Sequence, residues 1–371
     1  MPQIVEIRDA DDSREVIHRA CQLLVEGQVV AFPTETSYVV AASSLSPAGL
    51  QRLGSLAPAG IVLTLKSVEE AQGYLSKVPV AADKLGRRAW PGPLTMEFAA
   101  ASFGELFHQL LEPTRILLAG STSHVGLRVV THEIFRNVQQ LVPGPLLINA
   151  DRGTKGSLSR TAADVVQQYG DAVSLIIDDG PCRYGEPTST IRFEGEQWSL
   201  VELGMISALN LDRLTSEIYL FVCTGNTCRS PMAESLFRRR LSERLRCSDD
   251  DLMDRGFAVL SAGLSAEMGV PASEQAIAVL KNEGIDLLSH ESQPVTSRLL
   301  RQADHILPMT RGHLQTILGQ YPELILRVRM LSQDRTDIFD PYGGDLREYQ
   351  GCKAQIERSV LTLINQLSLN S

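Results

Sequence analysis

Cysteine is scarce in this sequence, with six thiols among 371 residues: Cys21, Cys182, Cys223, Cys228, Cys247 and Cys352. So few do not build a disulfide framework. Only Cys223 and Cys228 stand close together, and their C-x4-C spacing has neither a second pair nor nearby histidines, which argues against structural zinc. The seven histidines are scattered without ligand spacing, and His290 and His305 read as satisfied structural residues. Long apolar runs are missing too: no stretch approaches the roughly 18 apolar residues of a membrane-spanning helix. A basic excess is also lacking. Lys and Arg number 35 against 44 Asp and Glu, a net charge of −9, divided as 18 against 24 up to Ser216 and 17 against 20 beyond it. Neither part carries the charge of a domain whose main affinity is for nucleic-acid backbone, although a local basic groove stays open. The opening residues, MPQIVEIRDADDSREV, have no basic flank and no apolar core of a secretory signal. These absences lead to the expectation of a protein of a reducing cytoplasm with no membrane partner.

What is present is ordinary globular composition, 43% hydrophobic and 21% charged, over a length that favours two domains. The first half opens with a helical pattern from Arg14 to Glu26, closed by Gly27. Short apolar runs follow at Val29–Phe32, Ile61–Leu65, Ile116–Leu118, Leu146–Ile148 and Leu175–Ile177, read as strands alternating with helices and loops. This predicts an α/β domain with a mixed twisted sheet over residues 1–206. SALNLDRLTS then reads as a linker, 207–216. The second domain, 217–371, begins with a strand at Ile218–Val222 and a helix from Pro231 to about Leu245. A helix at Ser273–Glu283, a strand at Ala303–Met309 and a C-terminal helix over about Leu346–Gln366 follow. Alternating strands and helices predict a doubly wound parallel sheet with a phosphate-binding loop after its first strand.

That loop is the most informative segment. Cys223–Ser230, CTGNTCRS, lies between a buried strand and the start of a helix, where backbone N–H groups and the helix dipole favour an anion. Arg229 adds a guanidinium fork matched to phosphate oxygens. The same positive field favours the thiolate of Cys223, a nucleophile. Gly225 and Asn226 tolerate the left-handed backbone needed to turn amides inward, and Ser230 is placed to bond the thiolate. A leaving group needs a proton, and Asp340, on the turn before Pro341 and Tyr342, is the candidate donor. A solvated turn aspartate is the other reading of that spacing. Arg238–Arg240 reads as the exposed face of the helix after the loop.

The segment Phe221–Glu234, FVCTGNTCRSPMAE, resembles the active-site loop of low-molecular-weight protein tyrosine phosphatases. Ser261–Gly263, Ala303–Thr310 and Asp340–Tyr342 recur in that family's order, so the resemblance covers about 217–371. It implies metal-independent and cofactor-free hydrolysis of a phosphorylated protein through a cysteinyl-phosphate. Cys223 attacks phosphorus, Arg229 and the loop from Thr224 through Gly225 hold the oxygens, and Asp340 handles the proton. Asn226, Ser230 and Ser261 match supporting positions, and Tyr342 is an aromatic wall. Thr227 stands where tyrosine-specific members usually carry a larger aliphatic residue. With Gly343–Gly344 after the Asp340 turn, the loop is most similar to that of bacterial protein-arginine phosphatases, implying a phosphoarginine substrate with phosphotyrosine as the alternative. Thioredoxin-coupled arsenate reductases share the fold, but their relay cysteines are absent from Ser289–Asp304. Cys228 is either a packed loop residue or a disulfide partner for Cys223 under oxidation.

Gly27–Tyr38, GQVVAFPTETSY, resembles the opening motif of the threonylcarbamoyl-AMP synthase family, with Pro33, Thr34, Thr36 and Tyr38 as candidate cleft residues. Ala89–Thr95, Val125–Val129 and Ser189–Ile191 continue the likeness, which covers about 5–206 and implies a cleft for ATP, threonine and bicarbonate. The family's lysine–arginine pair falls here in Leu53–Gly60, which holds neither charge. Its serine–asparagine pair reads Asn149 and Asp151, and its glycine after the motif tyrosine is Val39. Losing two cations and gaining a carboxylate should weaken triphosphate binding by several kcal/mol, at roughly 1.5–3 kcal/mol per charge-assisted contact. The expectation is a degenerate synthase domain acting as a binding or regulatory module, with a nucleotide or double-stranded RNA as the ligand left open. The alternative is retained synthesis for tRNA modification, which would make the chain bifunctional.

Overall fold

The short strands of the first half pair into one ten-stranded mixed sheet, with the mostly exposed first and last strands at its edges. The computed structural model describes residues 2–8, 12–57, 60–120, 123–150 and 158–367. It divides into two compact units, one ending at Leu214 and the other beginning at Thr215. The strands of the first unit are β1 (Gln3–Glu6), β2 (Val30–Pro33), β3 (Tyr38–Ser43), β4 (Ile61–Thr64), β5 (Leu94–Ala99), β6 (His124–Arg128), β7 (Leu146–Asn149), β8 (Leu175–Asp178), β9 (Ser189–Glu194) and β10 (Gln197–Glu202). They pair in the order β1-β8-β2-β3-β7-β4-β6-β5-β9-β10. β2 runs parallel to β8 and antiparallel to β3, so the sheet is mixed. Every residue of β2, β3 and β4 is buried, as expected of strands covered on both faces. One face packs Val29, Ala31, Val40 and Leu63; the other packs Val30, Phe32, Val39 and Val62 against the helix Ser13–Val25. Asp12 caps that helix by accepting from the Arg14 N–H, and Gly27, at φ +79°, closes it in a conformation that disfavours side chains.

Two sequence expectations meet a different structure here. Ile116–Leu118 belongs to the helix Glu112–Ala119 rather than to a strand. An apolar triplet does not distinguish the two, and the flanking Glu112-Pro113 supplies a good helix start. Within 207–216, read as a linker, Ala208–Thr215 is helical and Leu211 is fully buried in the first unit's core.

In the second unit, β11 (Glu217–Cys223) is flanked by β12 (Phe257–Gly263) and β13 (His305–Pro308), all parallel. Alternation along β11 sends Tyr219, Phe221 and Cys223 to one face, beneath Leu236, Phe237 and Leu241 of the helix Arg229–Leu245 and Tyr349, Ile356 and Val360 of the helix Leu346–Asn365. Leu220 and Val222 face the other side, under Leu300 and Ile317. Helices therefore cover both faces of a parallel sheet, the doubly wound arrangement, and ligand sites in such sheets lie beyond the carboxyl ends of the strands. Each fully buried Leu or Phe in these layers contributes about 1.5–3 kcal/mol. β11 ends on Cys223.

Candidate active site

Because β11 stops at Cys223 and the next helix starts at Arg229, the chain between them must turn sharply. Asn226 makes that turn in the left-handed region, at φ +56°, and its backbone N–H donates to Cys223 Sγ at 3.2 Å. Its side chain locks the loop from within. Asn226 Nδ2 donates to Ser230 Oγ and Ser261 Oγ, both at 2.9 Å, while Oδ1 accepts from Gln293 N at 2.9 Å. Ser230 Oγ lies 3.0 Å from Cys223 Sγ. Ser261 donates onward to Glu234 at 2.6 Å, whose carboxyl burial pushes above the ordinary range. His290 Nε2 sits 2.8 Å from the Asn226 carbonyl. The expected Asn226, Ser230 and Ser261 thus converge on Cys223. Gln293, Glu234 and His290 complete the network: Glu234 closes the Phe221–Glu234 segment, His290 is held as a structural residue, and Gln293 carried no signal in the sequence.

Arg229, the first residue of its helix, is buried, and it forms an ion pair with Asp340. Its Nη2 also donates to Thr224 Oγ1 at 3.4 Å. The Tyr342 N–H donates to Asp340 Oδ1 at 3.3 Å, so the turn holds its own carboxylate. Tyr342 itself is 82% exposed and free to act as a wall for something arriving from solvent. His313, absent from the sequence reading, reaches Thr224 Oγ1 with Nε2 at 2.9 Å.

Thr227 is half-buried beside Gly225, and its carbonyl accepts from Ser273 N at 2.9 Å. Cys228 is buried, with Sγ 3.1 Å from Tyr349 Oη and 3.4 Å from Ser273 Oγ. Burial pushes the Tyr349 phenol up to about 12, so its O–H is retained. These contacts fit the packed reading of Cys228. Arg240 is tied to Glu243, Glu283 and Glu357 and is half-buried rather than exposed. His305 stacks on Tyr219 with centroids 4.4 Å apart.

In the first unit the motif residues are occupied by their own fold. Pro33 ends β2, Thr34 Oγ1 donates to the Ser37 carbonyl at 2.7 Å, and Tyr38 Oη lies 2.9 Å from Asp178. Ser189 Oγ donates to the Ile206 carbonyl at 2.9 Å. Asn149 Oδ1 accepts from Val40 N at 2.7 Å. Asp151 lies outside the described residues, as do Pro58 and Ala59 of the altered Leu53–Gly60 segment. Thr36 accepts from Arg128 Nη2 at 2.9 Å, and the same guanidinium forms a buried pair with Glu35 at 2.8 Å. A cavity of about 330 Å³ opens here, with Gly54, Ala57 and Gly60 on the wall where the family's cations were expected. Its lining also includes Glu97, Glu202 and Asn149. Arg128, engaged by Glu35, is the one Lys or Arg among the described lining residues, so they do not fit a triphosphate.

Comparisons with known proteins divide the chain at the same place. Residues 218–371 match the family model for low molecular weight phosphotyrosine protein phosphatase. Residues 22–204 match the Sua5, YciO and YrdC model, described as telomere recombination. A probable low molecular weight protein-tyrosine-phosphatase, EpsP of Ralstonia nicotianae, is 36% identical over 142 residues, covering 38% of this chain and 89% of that protein. The protein-arginine-phosphatase of Geobacillus stearothermophilus is 37% identical over 153 residues, covering 40% of this chain and 92% of that one. The threonylcarbamoyl-AMP synthase of Pyrococcus abyssi is 26% identical over 223 residues, 59% of this chain, which spans only 62% of that synthase.

Proposed function

Through residues 218–371 the chain belongs to the low molecular weight phosphotyrosine protein phosphatase family, and we propose that it dephosphorylates proteins at Cys223, with phosphoarginine favoured over phosphotyrosine. As a member of that family it is a phosphatase. The observation that carries the mechanism is the convergence on one sulfur: Cys223 Sγ receives the Asn226 N–H at 3.2 Å and lies 3.0 Å from Ser230 Oγ, beside a buried arginine paired with an acid. The thiolate attacks phosphorus and the bond to the leaving nitrogen or oxygen breaks as Asp340 supplies a proton. Water then attacks the cysteinyl-phosphate, Asp340 takes its proton, and phosphate leaves with the thiolate restored. Arg229 and the loop amides stabilise the charge on the phosphoryl oxygens throughout. An arriving phosphoryl group competes with Asp340 for Arg229, and that exchange releases the carboxyl towards the leaving group.

Relatives of the two substrate classes are equally similar, so the preference rests on Thr227. Its small, half-buried side chain leaves room at the loop mouth and adds a hydroxyl. Phosphoarginine peptides are expected to show a higher kcat/KM than phosphotyrosine peptides. Thr227→Ile should reduce that ratio by about tenfold or more, the scale of adding apolar bulk to a specificity pocket. Faster hydrolysis of phosphotyrosine by the unaltered chain, or an unchanged ratio in the variant, defeats the preference.

The first unit acts as a binding or regulatory module, and a nucleotide or RNA ligand is the kind its family likeness suggests. Its engaged Arg128 and the lack of a further Lys or Arg among the described residues of the cavity wall support loss of synthesis. The full chain, given ATP, threonine and bicarbonate, should form no threonylcarbamoyl-AMP by chromatography. Product formation would establish the bifunctional alternative. The scarcity of cysteine supports a reducing cytoplasm as the compartment.

A further inference from the structure

The helix Arg311–Gln320 begins against the phosphate loop. Its cap, Thr310, accepts the His313 N–H at 3.2 Å. That cap fixes the first turn and aims the His313 imidazole at Thr224, Nε2 to Oγ1 at 2.9 Å. His313 is buried. Burial, followed by the charge of Arg229, pushes its pKa down to about 4, so the ring is neutral and carries a single N–H. Nδ1 is buried and has no hydrogen-bond partner among the described residues.

The hydrogen-bond inventory then settles which nitrogen holds the proton. Were it on Nδ1, a buried donor would be left unbonded, which costs more than an idle buried lone pair. On Nε2 the proton is donated to Thr224. Thr224 Oγ1 already accepts from Arg229 Nη2 at 3.4 Å. A hydroxyl oxygen has two lone pairs and one proton. With both pairs filled, the Thr224 O–H must turn away from His313 and Arg229. Thr224 is the exposed residue of the loop, so that proton faces the loop mouth.

We infer that His313 is a positioning residue that holds the Thr224 hydroxyl as a hydrogen-bond donor to a non-bridging phosphoryl oxygen of the substrate. This rests on phosphoryl transfer at Cys223. The donor joins the loop amides and Arg229 around the oxygens, where charge develops in the transition state, and it is preorganised because its two acceptor positions are occupied. Thr224 and His313 are 89 residues apart, and only the packing of this helix brings them together.

The experiment is a double-mutant cycle on the full chain with p-nitrophenyl phosphate, reading kcat and KM separately, with circular dichroism as a check on folding. Thr224→Val should lower kcat by about ten- to a hundredfold with a smaller change in KM, the range for losing one transition-state donor. Thr224→Ser, which keeps the hydroxyl, should recover most of the kcat that Thr224→Val loses. His313→Leu should reproduce the Thr224→Val loss, and the double variant should be no worse than the poorer single one. His313→Gln, whose amide nitrogen reaches the Nε2 position, should recover most of the activity. Additive losses in the double variant, failure of His313→Gln to recover a folded enzyme's kcat, or an unaffected Thr224→Val would each overturn the inference. In those cases the unaltered chain still turns over. No turnover by the unaltered chain overturns the phosphatase reading itself, and this inference with it.

Discussion

Cys223→Ser is expected to lower the turnover of p-nitrophenyl phosphate by at least about a thousandfold, as removal of a nucleophile commonly does. The substitution changes one atom at a residue that is only 2% exposed and sits at the end of a fully paired strand, so the fold should survive it. The new hydroxyl can still meet the Asn226 N–H and Ser230. What it loses is the sulfur nucleophile. A serine O–H stays protonated in this loop, and no base within the described hydrogen bonds of Cys223 takes its proton. Near-normal activity in the serine variant would show that phosphorus is attacked by something other than Cys223.

The second large effect is expected from Asp340→Asn, and its size should depend on the leaving group. A phosphoarginine or phosphotyrosine protein releases a poor leaving group that needs a proton, so kcat should fall by about a hundred- to ten-thousandfold. p-Nitrophenolate leaves readily as the anion, so the same variant should lose far less on p-nitrophenyl phosphate. This contrast separates proton donation from the other thing Asp340 does, which is to pair with Arg229. An equal loss on both substrates would mean that Asp340 works by placing the guanidinium. The measurement is kcat for each substrate on purified full chain.

Where the sequence was readable, one element met one requirement. The run Ile218–Val222 ends at a cysteine, and Asn226 takes the left-handed conformation the turn needs, whereas Gly225 does not; the helix starts at Arg229, two residues before the Pro231 the sequence suggested. A loop that turns on its own residues is contiguous and therefore visible. Ile116–Leu118 failed as a strand because three apolar residues satisfy either period, and Glu112 and Pro113 in the first turn favour the helix. The segment around Leu211 looked polar enough for a linker, yet a single buried leucine anchors it to the first unit's core. In the first unit the absence of the family's cation pair was plain from Leu53–Gly60. The pairing of Arg128 with Glu35 was not, since the two are 93 residues apart and neither is unusual alone.

The sequence by itself determined the strand that ends on Cys223, the turn after it and the absence of Lys and Arg from Leu53–Gly60, because each is written in a short stretch whose backbone conformation follows from local residue types. Only the tertiary structure decided what surrounds the sulfur. Asp340 comes from 111 residues beyond Arg229, Gln293 from 67 beyond Asn226, and His313 from a helix whose register no spacing rule announces. A parallel sheet gathers loops from distant crossovers at the carboxyl ends of its strands. In this chain Asp340, the loop's supports and His313 all arrive by that route.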